Sequence, residues 1–181
     1  MSHNTYLLFQ VLIHKICIKE WELEKDNILS LIPFDDEKFK TKEINYTDFT
    51  SVYSDEMEKM YQVKFSSLVK PYIEEFGKTS DYKFTSMSKV WCQRYNKNDY
   101  HAPHDHGANG YSAVFYAQID SEVHPSTKFF SPFMGLDGGH ERDQSIMVDE
   151  GDLVIFPSNI LHMAPPHYSD KERIIMSFNL V

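Results

Sequence analysis

The sequence predicts a mainly β fold with flanking helices, in which an N-terminal α/β portion packs against a C-terminal β-sandwich or barrel. Residues 82–180 contain several short apolar segments separated by Gly, Pro, Asn and Asp, a pattern typical of short strands. A buried strand and a long helical stripe precede them. Because no linker separates the two portions, we expect one domain over residues 1–181, made of parts 1–80 and 81–181.

Each N-terminal element has its own signal. Residues 6–18 are rich in Leu, Val, Ile and Phe and predict a buried strand. Apolar residues within 21–32 predict a short helix. Apolar residues from Tyr61 to Phe76 recur in steps of 4, 3, 4 and 4. This spacing predicts a helix over about 55–76.

The ends of that long helix are marked by residues with known helix-end preferences. Ser54 is a candidate N-cap and Gly77 a natural stop. Pro71 predicts a kink or an early break, because proline removes a backbone hydrogen bond. In the second half of the chain, strands are predicted over residues 82–95, 111–119, 128–133, 145–148, 153–156 and 173–180.

Composition excludes several classes of function. The chain has 181 residues, is 41% hydrophobic and has a net charge of −9, which indicates a globular protein with an acidic surface. Nucleic acids and anionic membranes are therefore poor partners. Two distant cysteines, Cys17 and Cys92, do not make a disulfide framework. The apolar run 6–13 is too short for a membrane span, so we expect a cytoplasmic protein.

The most informative motif is a histidine cluster. His104 and His106, at positions i and i+2 of an extended segment, point to the same side of the backbone. His162 follows 56 residues later, at a bend after an apolar strand. Imidazole suits both iron and zinc, so the three residues are predicted metal ligands. His101 is a weaker candidate and Asp105 is expected to face away; a His-rich surface loop is the alternative interpretation.

A second group of polar side chains lies on the last predicted strand. Arg173, Ser177 and Asn179 share one face of that strand. An arginine can grip a carboxylate with two parallel hydrogen bonds, which makes this face a candidate anion site. The alternative is a solvent-facing arginine paired with Asp170 or Glu172.

The order and spacing of these motifs resemble the 2-oxoglutarate/Fe(II)-dependent oxygenase superfamily. They look most like the small hydroxylases of cyanobacterial phages and marine bacteria. Ten residues separate His162 from Arg173, which is similar to the superfamily's spacing for its cosubstrate arginine. The resembling segments are 104–106, 111–116, 151–158 with His162, 172–173 and 177–179, and the opening segment 7–33 also looks similar.

The resemblance implies a double-stranded β-helix (jelly roll, cupin-like) with helices packed on it. It implies a hydroxylase that uses Fe(II), 2-oxoglutarate and O2, releases succinate and CO2, and oxidises an unidentified substrate. The implied metal ligands are His104, His106 and His162. The implied cosubstrate-binding residues are Arg173, Ser177, Tyr95 and Asn179.

The chain departs from the superfamily's usual ligand set at His106, where a carboxylate is typical. A neutral imidazole leaves the site one charge unit more positive, which favours anionic coligands and disfavours higher oxidation states. Three-histidine iron sites do occur, so the departure leaves the oxygenase hypothesis in place.

Two other functions stay open. A cupin-type three-histidine metalloenzyme would not use 2-oxoglutarate, although the glutamate expected in its first motif is absent at Gly110 and Tyr111. A phage structural module that kept the fold would have no activity. The substrate is a small molecule or a protein side chain, with prolyl preferred, and loops within 122–147 are expected over the site. A homodimer is left open, and a phage-encoded protein would act in the host cytoplasm.

Overall fold

The computed structural model of this chain describes residues 11–34, 46–55, 57–133 and 144–181. In this part of the chain the elements are, in order, β1 His14–Cys17, α1 Trp21–Leu29, β2 Tyr46–Thr47, α2 Phe49–Ser54, α3 Met60–Thr79, β3 Trp91–Tyr95, β4 His101–His104, β5 Tyr111–Gln118, β6 Lys128–Phe129, β7 Gln144–Ser145, β8 Asp152–Pro157, β9 His162–Ala164 and β10 Arg173–Leu180.

The strands form two antiparallel sheets. The larger sheet has the order β1-β8-β5-β10-β3-β2, and the smaller has the order β4-β9-β6-β7. Strands β5, β8 and β10 are buried along almost their whole length, so apolar residues cover both faces of the larger sheet. This arrangement confirms the predicted mainly β fold with flanking helices.

Two apolar clusters hold the layers together. The first joins the helices to the larger sheet, where Trp21 and Phe65 pack on Phe115 with ring centroids 4.7 and 4.9 Å away. Trp21 also donates a hydrogen bond to the carbonyl of Ala117 at 3.0 Å. The second cluster lies on the other face of that sheet and includes Phe129 of the smaller sheet. The larger sheet is therefore packed on both sides.

The predicted helix 55–76 begins elsewhere than expected. Ser54 is the last residue of α2 and not an N-cap, and α3 begins only at Met60. The helix start is set by Lys59, whose backbone N–H donates to the Gln62 side chain at 2.6 Å. The predicted start depended on Ser54 as an N-cap, whereas the apolar stripe itself begins at Tyr61, next to the observed start.

Neither Pro71 nor Gly77 ends α3, which continues to Thr79. Proline has no backbone N–H, so the carbonyl of Ser67 lacks its helical hydrogen-bond donor. Both residues lie on the exposed face of the helix, where water can donate to that carbonyl. Gly77 is needed for packing instead: a Cβ there would lie 3.1 Å from the ring of Phe84. The small residue lets the end of the helix lie against that ring.

Several strands are shorter than predicted or were not foreseen. Of the strand expected over 6–18, residues His14–Cys17 form β1. Residues 1–10 lie outside the described part of the chain. Within 82–95 only β3 is a strand. Strands β2, β4 and β9 have two to four residues, too few for a visible alternation. Among the described residues, no helix is long and apolar enough to span a membrane.

Candidate metal centre

Three histidines meet where the two sheets face each other. Strands β4 and β9 pair so that His104 lies opposite His162. The backbone N–H of His106 donates to the carbonyl of Ser158 at 2.8 Å, which fixes the third histidine just beyond β4. The potential ligand nitrogens of the three imidazoles all lie within 4.8 Å of one another. The residues predicted from the sequence are thus brought together, although they come from separate strands.

The orientation of each imidazole is set by a hydrogen bond from its Nδ1 atom. An oxygen acceptor bound to Nδ1 requires the proton on that nitrogen, which leaves the Nε2 lone pair for a metal. The acceptors lie 2.7–2.8 Å away: Ala102 O for His104, Asn179 Oδ1 for His106 and Ile160 O for His162.

The acceptor for His106 is itself held in place. Ser112 Oγ donates to Asn179 Oδ1 at 3.0 Å and lies 3.1 Å from Ser158 Oγ. Since the amide oxygen accepts from both a hydroxyl and an imidazole, its orientation is fixed by two donors. The histidine that replaces the usual carboxylate therefore has a dedicated support of its own.

Burial favours the neutral form of His162 and His106. It lowers the pKa of His162 to about 3, with smaller contributions from the neighbouring imidazoles. Burial also lowers the pKa of His106, although the hydrogen bond that its ring donates to Asn179 opposes that shift. A neutral imidazole is the form that binds a metal, so the lowered pKa values of His162 and His106 favour metal binding.

A cavity of about 820 Å³ opens on the three histidines. Its buried end is lined by Tyr95, Thr127, Ile175 and Ser177, while Phe49 and Tyr53 are exposed at its mouth. The alternation of β3 places Trp91, Gln93 and Tyr95 on the cavity side. Of the loops expected over the site, residues 134–143 lie outside the described part.

Arg173 is buried beside this cavity and is not a surface arginine. Its side chain is 2% exposed and its guanidinium lies 4.4 Å from the centroid of the Tyr95 ring. Nη1 donates to Pro125 O at 2.6 Å and Nη2 to Pro165 O at 2.9 Å. The solvent-facing alternative is wrong, since the two acids it invoked pair elsewhere: Asp170 with Lys97 and Glu172 with Arg94.

Arg173 is not among the described residues that line the cavity. Tyr95, whose ring covers the guanidinium, does line it. Ser177, on the same face of β10, donates to Gln93 Oε1 at 3.3 Å. Asn179 lies against His106. Tyr95 therefore lies against Arg173, whereas Ser177 and Asn179 lie farther along β10, and the contact of these four residues with the cosubstrate stays a prediction.

Two further side chains of the cavity differ from expectation. Gln93 was not foreseen: its Nε2 lies 3.1 Å from Nδ1 of His101, whose ring stacks on His104 with centroids 4.0 Å apart. The alternation of β3 was the signal that could have found it. Asp105, which was expected to face away, borders the cavity just after His104, where β4 and its strand alternation end.

Comparisons with known proteins agree with this site. The family model described as "Putative 2OG-Fe(II) oxygenase" matches residues 89–179, half of the chain, a range that contains all three histidines and Arg173. The fold and site define a metal-dependent oxygenase. The chain belongs to the 2-oxoglutarate/Fe(II) oxygenase family. Fe(II) and 2-oxoglutarate are the cofactor and cosubstrate typical of that family.

Solved structures share the fold at low sequence identity. A Pseudomonas putida prolyl-4-hydroxylase has a TM-score of 0.62 at 14% identity, covering 93% of this chain and 91% of its own. A viral collagen prolyl hydroxylase from Paramecium bursaria Chlorella virus-1, solved with 2-oxoglutarate, has 0.57 at 14%, covering 93% and 96%. HygX of Streptomyces hygroscopicus, solved with nickel, 2-oxoglutarate and hygromycin B, has 0.62 at 12%, covering 92% and 81%.

These structures confirm the jelly-roll fold that the resemblance implied. No curated protein sequence matches the chain.

Proposed function

We propose that this oxygenase is a hydroxylase in which His104, His106 and His162 hold Fe(II). The observation that carries the proposal is the shared tautomer of the three imidazoles. Each Nδ1 is tied to an oxygen, so each Nε2 presents a lone pair to the same small volume. Three neutral nitrogen donors in one buried cluster suit a divalent transition metal.

His106 acts here as a full ligand in place of the family's usual carboxylate. Its support is the hydrogen bond to Asn179 and the tie of that amide to Ser112. With three neutral ligands, the metal keeps its whole positive charge until an anion binds. A dianionic cosubstrate balances that charge, so the ligand set favours 2-oxoglutarate binding.

For the cosubstrate, we assign the distal carboxylate to Arg173 beside Tyr95, with Ser177 farther along β10 and Asn179 next to His106. Two of the five N–H groups of the guanidinium hold backbone carbonyls, which fixes its plane and leaves others able to reach an anion. Once bound, Fe(II) and 2-oxoglutarate would activate O2, which is the oxidant, and 2-oxoglutarate would be converted to succinate and CO2. The residues of the chain orient both groups and exclude water.

The substrate is a small molecule or a protein side chain, prolyl included. Support comes from the fold shared with two prolyl hydroxylases and with HygX, which was solved with hygromycin B. For the organisation of the chain we propose one domain over residues 1–181. Its support is that β1 pairs with β8 and that α1 and α3 pack on the sheet that carries the site.

An anaerobic titration tests the proposal. Protein with Fe(II) is titrated with 2-oxoglutarate while a visible charge-transfer band is followed, and succinate is measured after O2 is admitted. We expect the band in the native protein and in His106→Asp, and its loss in His106→Ala. Absence of bound iron and of succinate in the native protein would contradict the proposal. If Arg173→Ala keeps full activity without 2-oxoglutarate, the cupin-type alternative is correct.

A further inference from the structure

The mouth of the cavity carries an aromatic wall formed by Phe49 and Tyr53 of α2 and Trp91 of β3. The ring of Phe49 lies 5.0 Å from that of Tyr53 and 5.2 Å from that of Trp91. Phe49 and Tyr53 are 46% and 51% exposed, and all three rings line the cavity. Trp91 also stacks near His106, with centroids 6.0 Å apart. The wall is therefore continuous with the metal centre.

The wall is built before any substrate arrives. Asp48, which is 0% exposed, accepts hydrogen bonds from Tyr61 Oη at 2.6 Å, Lys59 Nζ at 3.1 Å and the backbone N–H of Cys92 at 2.9 Å. These bonds tie the start of α2 to α3 and β3. At the other end of α2, Lys89 Nζ donates to carbonyls of the last turn at 2.9 and 3.3 Å. The exposed rings are therefore held in place before a substrate binds, and an exposed apolar surface of this kind indicates a binding role.

The charge at the mouth is one-sided. Among the described residues that line the cavity, Asp105 is the single carboxylate and neither lysine nor arginine is present. One oxygen of Asp105 accepts from the backbone N–H of Gly107 at 2.9 Å. The nearby cations Lys59 and Lys89 are engaged by Asp48 and by the α2 carbonyls. The net charge of the chain is −9, which attracts cations over a distance.

We propose that the aromatic wall and Asp105 form a subsite for a protonated amine of the substrate. An ammonium group is attracted by the negative face of an aromatic ring and by a carboxylate, whereas a neutral or anionic group is not. The proposal rests on the proposed function, because it places this amine beside the carbon that is oxidised. The amine belongs either to a free small molecule or to a lysyl side chain.

Binding of matched probes tests the subsite. The anaerobic Fe(II)–2-oxoglutarate protein is titrated with n-hexylammonium or with neutral n-hexanol, and Trp91 fluorescence is followed. The chain's other tryptophan, Trp21, is the first residue of α1 and is buried. Its fluorescence serves as a constant background. We expect hexylammonium to bind at least about fivefold more tightly than hexanol, the size expected of a cation–ring contact.

Four variants locate the effect. Tyr53→Ala and Asp105→Asn are expected to remove the preference for the amine. Tyr168→Ala and Asp170→Asn are matched controls, since both side chains are exposed and lie outside the cavity lining. These controls are expected to keep the preference. Equal binding of hexanol and hexylammonium, or a preference that survives in Asp105→Asn and Tyr53→Ala, would overturn the proposal.

Binding of peptides distinguishes a lysyl side chain from a free small molecule as the source of the amine. A lysine-containing peptide is compared with the same peptide carrying Nε-acetyl-lysine and with a neutral proline peptide. Tighter binding of the lysine peptide than of hexylammonium supports a protein substrate, and the reverse supports a small molecule. A proline peptide that binds as tightly as the lysine peptide overturns the amine subsite. If the protein binds iron and 2-oxoglutarate normally but shows no preference for the amine, the subsite is wrong and the proposed function stands. If it prefers the amine but does not bind iron, the proposed function is wrong and the subsite stands.

Discussion

The Nδ1 atom of His106 lies 2.8 Å from the Oδ1 atom of Asn179. This bond links the histidine that follows β4 to the end of β10, two segments that are 73 residues apart. The sequence placed Asn179 on the face assigned to the cosubstrate. The observed contact is instead with the proposed metal ligand, and it explains how a histidine is oriented at a position where a carboxylate is usual.

Replacing Asn179 with leucine is expected to weaken metal binding by about 10- to 100-fold, the effect of losing a hydrogen-bonded support of a ligand. Asn179→Asp keeps an acceptor oxygen and should retain affinity. Competition with a chelating indicator, using Mn(II) as an air-stable probe, measures the change. Asn27→Ala is the control, since Asn27 is exposed on α1 and is not among the cavity-lining residues. Unchanged affinity in Asn179→Leu would show that the contact does not orient His106.

Arg173→Lys is expected to raise the KM for 2-oxoglutarate with a smaller effect on kcat, because an ammonium cannot grip a carboxylate with two parallel bonds. Lysine also cannot hold the carbonyls of Pro125 and Pro165 together. We therefore expect a lower midpoint in urea as well. Initial rates of succinate release at varied 2-oxoglutarate measure the first effect. An unchanged KM with a lower midpoint would reduce Arg173 to a structural role.

Asp48→Ala is expected to destabilise the fold by about 3 kcal/mol, because it leaves a lysine and two other donors without their buried acceptor. Urea unfolding followed by fluorescence gives the free energy of unfolding. Asp170→Asn removes an exposed ion pair with Lys97 and should change that free energy by less than about 0.5 kcal/mol. Equal losses in the two variants would contradict the buried network.

Gly110→Ala is expected to be far more disruptive than Gly107→Ala. Both glycines have positive φ, +87° and +92°, so both substitutions are strained. At Gly110 a Cβ would also lie 2.1 Å from the carbonyl oxygen of Leu180, whereas at Gly107 nothing lies within 4 Å. Thermal melting compares the two variants. Similar melting temperatures would mean that the turn before β5 can move away from β10.

The metal-free protein is expected to lose stability as the pH falls from about 6.5 to 5. Burial lowers the pKa of His162 to about 3 and that of His101 to about 4. The unfolded chain, with ordinary histidines, takes up protons in this range while the folded state does not. The free energy of unfolding therefore falls with pH, by at most about 1.4 kcal/mol per pH unit for each group.

Urea unfolding at pH 7, 6 and 5 in the presence of a chelator measures this slope. His101→Gln removes one of the two groups and should give a shallower dependence. A free energy of unfolding that does not change between pH 7 and 5 would mean that these histidines take up protons in the folded state.

The local patterns of the sequence were strong where segments are long. Strands β5 and β10 have eight residues each, and their predicted bounds agree with the structure to within a residue. The predicted start of α3 was wrong because it depended on Ser54 as an N-cap, and α2 has six residues, too few for a clear periodic pattern. Strands β6 and β7 were predicted over 128–133 and 145–148 but have only two residues each, and β2, which was not predicted, also has two. Tertiary pairing decides which residues of such short segments form a strand.

The sequence by itself determined the class of fold and the family, and it identified the histidine group, because ligand types, spacing and strand periodicity are local properties. Only the tertiary structure decided which groups accept hydrogen bonds from the histidines and which residues surround them. The bond from His106 to Asn179, the burial of Arg173 and the aromatic wall on α2 all join distant segments. Such contacts depend on how strands pair and helices dock, which no spacing along the chain encodes.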